Sequence, residues 1–427
     1  MPTGDKQAIG ARLRAVREAP PRWSRSGLAR LLREAADPRD RDGMPHVPSL
    51  ADMIKQWEAG RYVPEPRYRV LYAKVTGRTE GELFGEESAR VLGLDRATDD
   101  AVVFAAWLER SNVGDGTIGY LRTAAHRLAF DYARQPPLTV LGEALQLQAR
   151  VTQLARSGRQ RLAQTRELLQ IGAELFALTT LLAGDVGRYR MADAHGYAAW
   201  TCADEAASDA ARALVLAAQS KTARWESRYA DAAQLARCGY ELAPPCSRGR
   251  VLLAVSEATA LQHQGDIREA TRALDRAQAA RDAHPATDLA ADAWSCTRAR
   301  QANYALQVGL GARDPMWAAR SAREADDAWA DGDQWVYGTW AQVRIGAALA
   351  HVMAGEPAAA AAELEDVFGI EADYRVVTIS GRMTDVDRRL RHSRYRADPC
   401  ASDLRTRIRA FQAGSLEHRA LTASEAT

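Results

Sequence analysis

The chain has 427 residues, 47% of them apolar and 26% charged, which is too many for one ordinary core, so two or three domains are expected. It holds no unbroken apolar run of about 18 residues and no apolar signal core after Met1, so neither a membrane-spanning helix nor secretion is expected. Its charge is uneven: residues 1–78 carry 16 basic and 9 acidic side chains, a net +7, and the remainder carries 41 against 46, a net −5. A basic head on an acidic body suits a polyanionic partner for the head. The cysteines, at 202, 238, 246, 296 and 400, form no C-x-x-C pair, so neither a zinc ribbon nor a disulfide framework is suggested and a cytoplasmic protein is expected.

The head reads as short helices. Ile9, Leu13 and Val16 share one face of a helix over Ala8–Glu18, which Pro20-Pro21 stops. Ser24 or Ser26 caps the next helix, whose apolar stripe is Leu28, Leu31 and Leu32. A polar loop of about twelve residues follows, Asp37–Pro48. Ser49 then caps a helix over Leu50–Ala59, closed by Gly60. Arg67–Thr76 forms a further helix that Gly77 ends, and Thr79 caps a last turn, Glu80–Phe84.

Beyond about residue 90 the pattern is helical throughout, without strand or hairpin signals. Alanine-rich helices alternate with short breaks at Gly184-Asp185, Pro244-Pro245, Gly265-Asp266, Gly311–Pro315 and Gly355–Pro357. Around Gly265, small Ala258 precedes the turn, and Ala270, Leu274 and Ala277 follow it. Gly355 repeats this with Ala348, Ala360, Leu364 and Val367, and Gly184 is a looser copy. Such small–large alternation about a glycine turn is that of a tetratricopeptide helix pair, here at a spacing of about 40 residues where the standard repeat has about 34. The expected fold is all-α: a head at 1–87, a helical linker domain at 88–158, and a tetratricopeptide-like α-solenoid at 159–427. An alanine-rich bundle is the alternative for the body.

The stretch Leu28 to Phe84 resembles the lambda-repressor-like, or xenobiotic-response-element class, helix-turn-helix family. The matching residues are Leu28-Ala29 and Leu31-Leu32, then Ile54, Trp57, Glu58, Gly60, Pro64 and Pro66, then Leu71-Tyr72-Ala73, Gly77 and Glu82-Leu83-Phe84. The chain departs from that family in the length of the Asp37–Pro48 connection, where three or four residues are usual. With Ser111-Asn112-Val113 through Pro136-Pro137 as linker, the whole architecture resembles a group of actinomycete transcriptional regulators with a tetratricopeptide-like body. The resemblance implies a cytoplasmic regulator that binds double-stranded DNA as a homodimer and answers to a peptide, small-molecule or protein effector. It implies no cofactor.

In a recognition helix one face reaches base edges. With Ile54 and Trp57 turned inward, Ala51, Asp52, Lys55 and Gln56 face outward. Gln56 suits adenine, Lys55 suits guanine, and Asp52 suits a cytosine amine, unless it only complements the helix dipole. Arg25 and Arg61 suit phosphates, with Arg12, Arg14 and Arg22 as further candidates. In the body, Tyr229, Trp294, Arg300, Tyr304 and Trp340 are candidates for a concave ligand- or peptide-binding face. The eight histidines lack metal spacing, and no nucleophile, base and orienter stand together, so no enzyme is expected. The rival reading is a protein-protein adaptor in which the head is a docking module.

Overall fold

The computed structural model describes residues 3–85, 100–245, 247, 249–283, 291–416 and 418. The expected boundary at 87/88 and Cys246 lie outside these residues. The described residues are all-α, with no strand among them. They divide into two compact units, Met1–Arg110 and Ser111–Thr427, and residues 111–158 pack within the second.

The first unit contains α1 (Thr3–Glu18), α2 (Arg25–Ala35), α3 (Pro38–Arg41), α4 (Val47–Glu58), α5 (Pro66–Thr76) and α6 (Glu80–Phe84). Residues 100–109 form a further helix, α7. Ser24 caps α2 by accepting from the Gly27 N–H at 3.0 Å. Thr79 and Glu82 form a reciprocal capping box at α6. Gly77, at φ +65°, closes α5 in the left-handed region. The core of this unit gathers Ile9, Leu13, Leu28, Leu32, Leu50, Ile54, Trp57, Tyr68, Tyr72 and Phe84. Its aromatic rings interlock, with Trp57 5.1 Å from Tyr68 and 6.2 Å from Tyr72 between ring centroids. Gly10 lets α1 lie directly on the end of α4: a Cβ there would meet the Trp57 carbonyl oxygen at 2.7 Å.

Three expectations for the head change; the first is that α1 begins at Thr3, five residues before the expected Ala8. The helix expected from Leu50 begins three residues earlier, at Val47, because Pro48 suits a first helical turn and fixes φ in advance. Ser49 is therefore inside α4 rather than its cap, and His46 takes the cap position without a side-chain bond. The long connection is not a loose loop. It contains α3, buries Met44, and is tied down by arginines. Arg33 donates to the Met44 and Pro45 carbonyls at 2.8 and 2.6 Å. Arg41 donates to the Glu34 and Ala36 carbonyls, and Lys74 to that of Ala35 at 2.8 Å, so cations close the end of α2.

The second unit runs α8 (Asp115–Asp131), α9 (Pro137–Arg156), α10 (Leu162–Asp185), α11 (Tyr189–Glu205), α12 (Asp209–Trp225), α13 (Tyr229–Leu242), α14 (Gly249–His263) and α15 (Ile267–Asp282). It continues with α16 (Arg298–Gly311), α17 (Pro315–Ala330), α18 (Tyr337–Ala354), α19 (Pro357–Leu364), α20 (Val377–Leu390) and α21 (Pro399–Ala413). Helices α10 and α11, α12 and α13, α14 and α15, and α16 and α17 pack as sequential pairs. The leading helices α10, α12, α14, α16, α18 and α20 also pack each on the next of that series. Alanines at 177, 192, 199, 218, 223, 232, 258 and 270 are buried where the helices meet. Gly265 and Gly355, at φ +86° and +95°, make the turns expected of them. Gly184 does not: it lies inside α10, and the turn falls at Gly187, φ +75°. Among the described residues one helix, α10, is long and apolar enough to cross a membrane, and 72% of its apolar window is buried inside the protein.

A single carboxylate joins three helices of the head. Glu58, on α4, is 8% exposed. Arg17 of α1 donates to it from Nε at 2.5 Å and from Nη2 at 3.2 Å, and Arg25 of α2 donates from Nε at 2.8 Å. The hydrogen bond to Glu58 holds the Arg17 guanidinium above its ordinary range, against the opposing effect of burial. Removing one member of such a set leaves buried charge uncompensated. Glu58→Ala should therefore destabilise the head by roughly 3–5 kcal/mol. Urea unfolding followed by the Trp57 environment measures this, and a midpoint equal to wild type would contradict it.

Candidate nucleic-acid interface and effector cavity

Helix α4 presents two unlike faces. Leu50, Ile54, Trp57 and Glu58 are buried. Pro48, Ser49, Asp52 and Lys55 are exposed, and Ala51 and Gln56 lie at the margin. Of the four residues expected outward, Asp52 and Lys55 are fully so, Gln56 partly, and Ala51 packs against the core. The dipole explanation for Asp52 loses its footing. Asp52 stands five residues past Val47, beyond the first turn, where the dipole effect has faded. Ser49 was concealed in the sequence because it has the look of a cap. The early start of α4 puts its hydroxyl on the exposed face, one turn before Asp52.

The arginines divide by employment. Arg61 is exposed just past α4, and its Nη1 donates to Gln56 Oε1 at 3.4 Å. Arg25 has a structural partner as well. Its Nε pairs with Glu58, a carboxylate it shares with Arg17, while its side chain stays 39% exposed. Arg12 donates to the Leu83 carbonyl at 3.1 Å, and Arg14 pairs with Glu18 at 3.2 Å. Arg22 is exposed, at φ +58°. The compact outward set on α4 is thus Ser49, Asp52, Lys55, Gln56 and the adjoining Arg61.

The five body candidates do not converge. Tyr229 stacks on His263, with centroids 4.6 Å apart and planes 9° from parallel. Trp340 packs on Trp335 at 6.0 Å. Trp294 lines a cavity of about 480 Å³ with Leu214, Leu252 and Leu253. Only Arg300 and Tyr304 share one site. They line a cavity of about 90 Å³ with Tyr132, Asp185, Lys221, Arg224 and Trp225. Here Lys221 Nζ meets Asp185 at 2.8 Å and the Tyr132 hydroxyl at 2.6 Å, and that hydroxyl donates to Asp185 at 2.6 Å. Lys221, Arg224 and Asp185 were missed because each alone reads as an ordinary polar helix residue. Their shared direction appears only when α10, α12 and α16 are brought together.

Among the described residues, no group of three or more His, Cys, Asp or Glu side chains is placed to hold a metal ion. No protein-family model and no curated protein matches the chain.

The outward face of α4 carries little of the fold. Lys55→Ala and Asp52→Ala should each leave the unfolding free energy within about 0.5 kcal/mol of wild type. Chemical denaturation checks this, and a larger loss would mean that the face is packed rather than presented.

Proposed function

We propose that the chain is a sequence-specific DNA-binding transcriptional regulator of the lambda-repressor-like helix-turn-helix class, with a tetratricopeptide-like body that dimerises and senses an effector. The observation that carries this reading is the division of α4. One face is locked by Ile54, Trp57 and Glu58, and the other offers Ser49, Asp52, Lys55 and Gln56 to solvent beside exposed Arg61. A rigid helix with hydrogen-bonding side chains and a flanking cation is what major-groove readout needs. The net +7 of residues 1–78 supplies the long-range attraction. The regular pairing of α10 through α17 supports the repeat reading of the body. Small residues at the helix contacts are what such pairs require.

One observation favours the adaptor reading instead. On α7, Val102, Val103, Phe104 and Trp107 are 59–68% exposed, and Phe104 stacks on Trp107 at 5.8 Å. An apolar strip of this kind is a surface for another protein. In the regulator reading that protein is a second copy, and the strip serves the homodimer.

DNA binding separates the two. With the full-length protein, affinity for duplex should fall with salt at a slope of about −0.9 per phosphate neutralised. Gln56→Ala should cost roughly 1–3 kcal/mol on the preferred site and leave random duplex almost unaffected. Arg61→Ala should weaken both alike and flatten the salt slope by about one unit. Fluorescence anisotropy at several salt concentrations reads all three. Absence of duplex binding at low salt would support the adaptor.

A further inference from the structure

The body's small cavity has an excess of hydrogen-bond donors and of positive charge. Arg224, on α12, is 7% exposed, yet its Nε and Nη1 have no hydrogen-bond partner among the described residues. It lies against aromatic faces: its guanidinium carbon is 5.3 Å from the Trp225 ring centre and 5.6 Å from that of Tyr304. These faces tolerate a cation but accept none of its hydrogen bonds in the ring plane. The indole Nε1 of Trp225 lies buried and unpartnered in the same lining. Every unpartnered buried side-chain atom of this lining is therefore a donor, so what is lacking is an acceptor.

The neighbouring charges do not supply it. Arg300 donates from Nη1 to backbone carbonyls, the shortest being that of Ser295 at 2.6 Å. Arg382 of α20 donates to the Asn303 side-chain oxygen at 3.3 Å. The two carboxylates of the lining are engaged elsewhere. Asp185 holds Lys221, and Asp292 Oδ1 accepts from the Trp294 and Ser295 N–H groups. Asp385, the acid closest in sequence to Arg382, pairs with Arg388 at 3.0 Å.

Three titratable groups register the resulting field. Burial together with the Arg224 charge pulls Arg382 down to about 9. Burial, Arg224 and Arg382 bring His263 to about 4. Tyr304 moves the other way from what burial alone would do: Arg300 and Arg224 draw its phenol below the ordinary value. A buried cation whose donors lack partners is costly.

We propose that this cavity binds a small oxyanion, the carboxylate or phosphate group of a metabolite. Arg224 and Arg300 face its charge, Trp225 Nε1 gives a neutral donor, and Arg382 reinforces the site from behind Asn303. A volume of about 90 Å³ is the space of roughly three waters, enough for one such group. Lys221 is excluded from direct contact by its pairing with Asp185. As the effector class of the proposed regulator, this rests on the DNA-binding reading. The binding itself does not, and its test contains no DNA.

Isothermal titration of the full-length protein with inorganic phosphate and with succinate, each against chloride at matched ionic strength, reads the site directly. Binding of at least one probe is expected, phosphate alone marking a phosphate site and succinate alone a carboxylate site. Arg224→Met should weaken it roughly 10–100-fold, the effect of losing a charge-assisted hydrogen bond. The same variant, without ligand, should melt at or above the wild-type temperature, because it removes an uncompensated buried charge. Trp225→Phe, which keeps the packing, should weaken binding less and serves if Arg224→Met does not fold. No heat from either probe would overturn the proposal. So would an Arg224→Met protein that melts lower and binds like wild type, which would make Arg224 a packing residue.

Discussion

The head depends on one buried carboxylate. Glu58 is the last residue of α4, and its two oxygens take hydrogen bonds from Arg17 of α1 and Arg25 of α2. Hydrophobic contact alone would let α4 rotate or slide, since apolar burial has no direction. The forked geometry of guanidinium on carboxylate removes that freedom. Gly10 and the Trp57–Tyr68–Tyr72 cluster set how close α1 and α5 approach the same helix end. What faces solvent on α4 follows from what these contacts hold inside.

The same logic explains how a long connection between α2 and α4 is accommodated. A flexible segment of this length would leave backbone carbonyls at the end of α2 to water. Here Arg33, Arg41 and Lys74 bond five carbonyls at that end and in the connection, and Met44 anchors its far side in the core. Three cations of the basic head are thereby used in structure, as are Arg17 and Arg25 in binding Glu58. The net charge of a segment overstates how many of its cations are available to a partner.

Much of this was legible in the sequence. The apolar stripe of α2, the caps at Ser24 and Thr79, the inward pair Ile54 and Trp57, and the turns at Gly265 and Gly355 follow from periodicity and local chemistry. Those signals are short-range. The start of α4 was misplaced because Ser49 and Pro48 offer competing local signals, and proline at the first turn prevails. Gly184 was read as a turn because a glycine can serve close helix contact equally well, and here a Cβ would meet Thr222 at 3.4 Å. The cavity of Arg224 and Arg300 was only half visible. Its residues come from helices far apart in the chain, and nothing local marks an arginine as unpaired.

The central claim is that α4 reads a particular DNA sequence. Selection of bound duplexes from a random-sequence pool by the full-length protein tests it most directly. The account predicts convergence on one consensus, two-fold symmetric if the protein binds as a homodimer. A pool that stays random through repeated rounds, although duplex is retained at low salt, would contradict it.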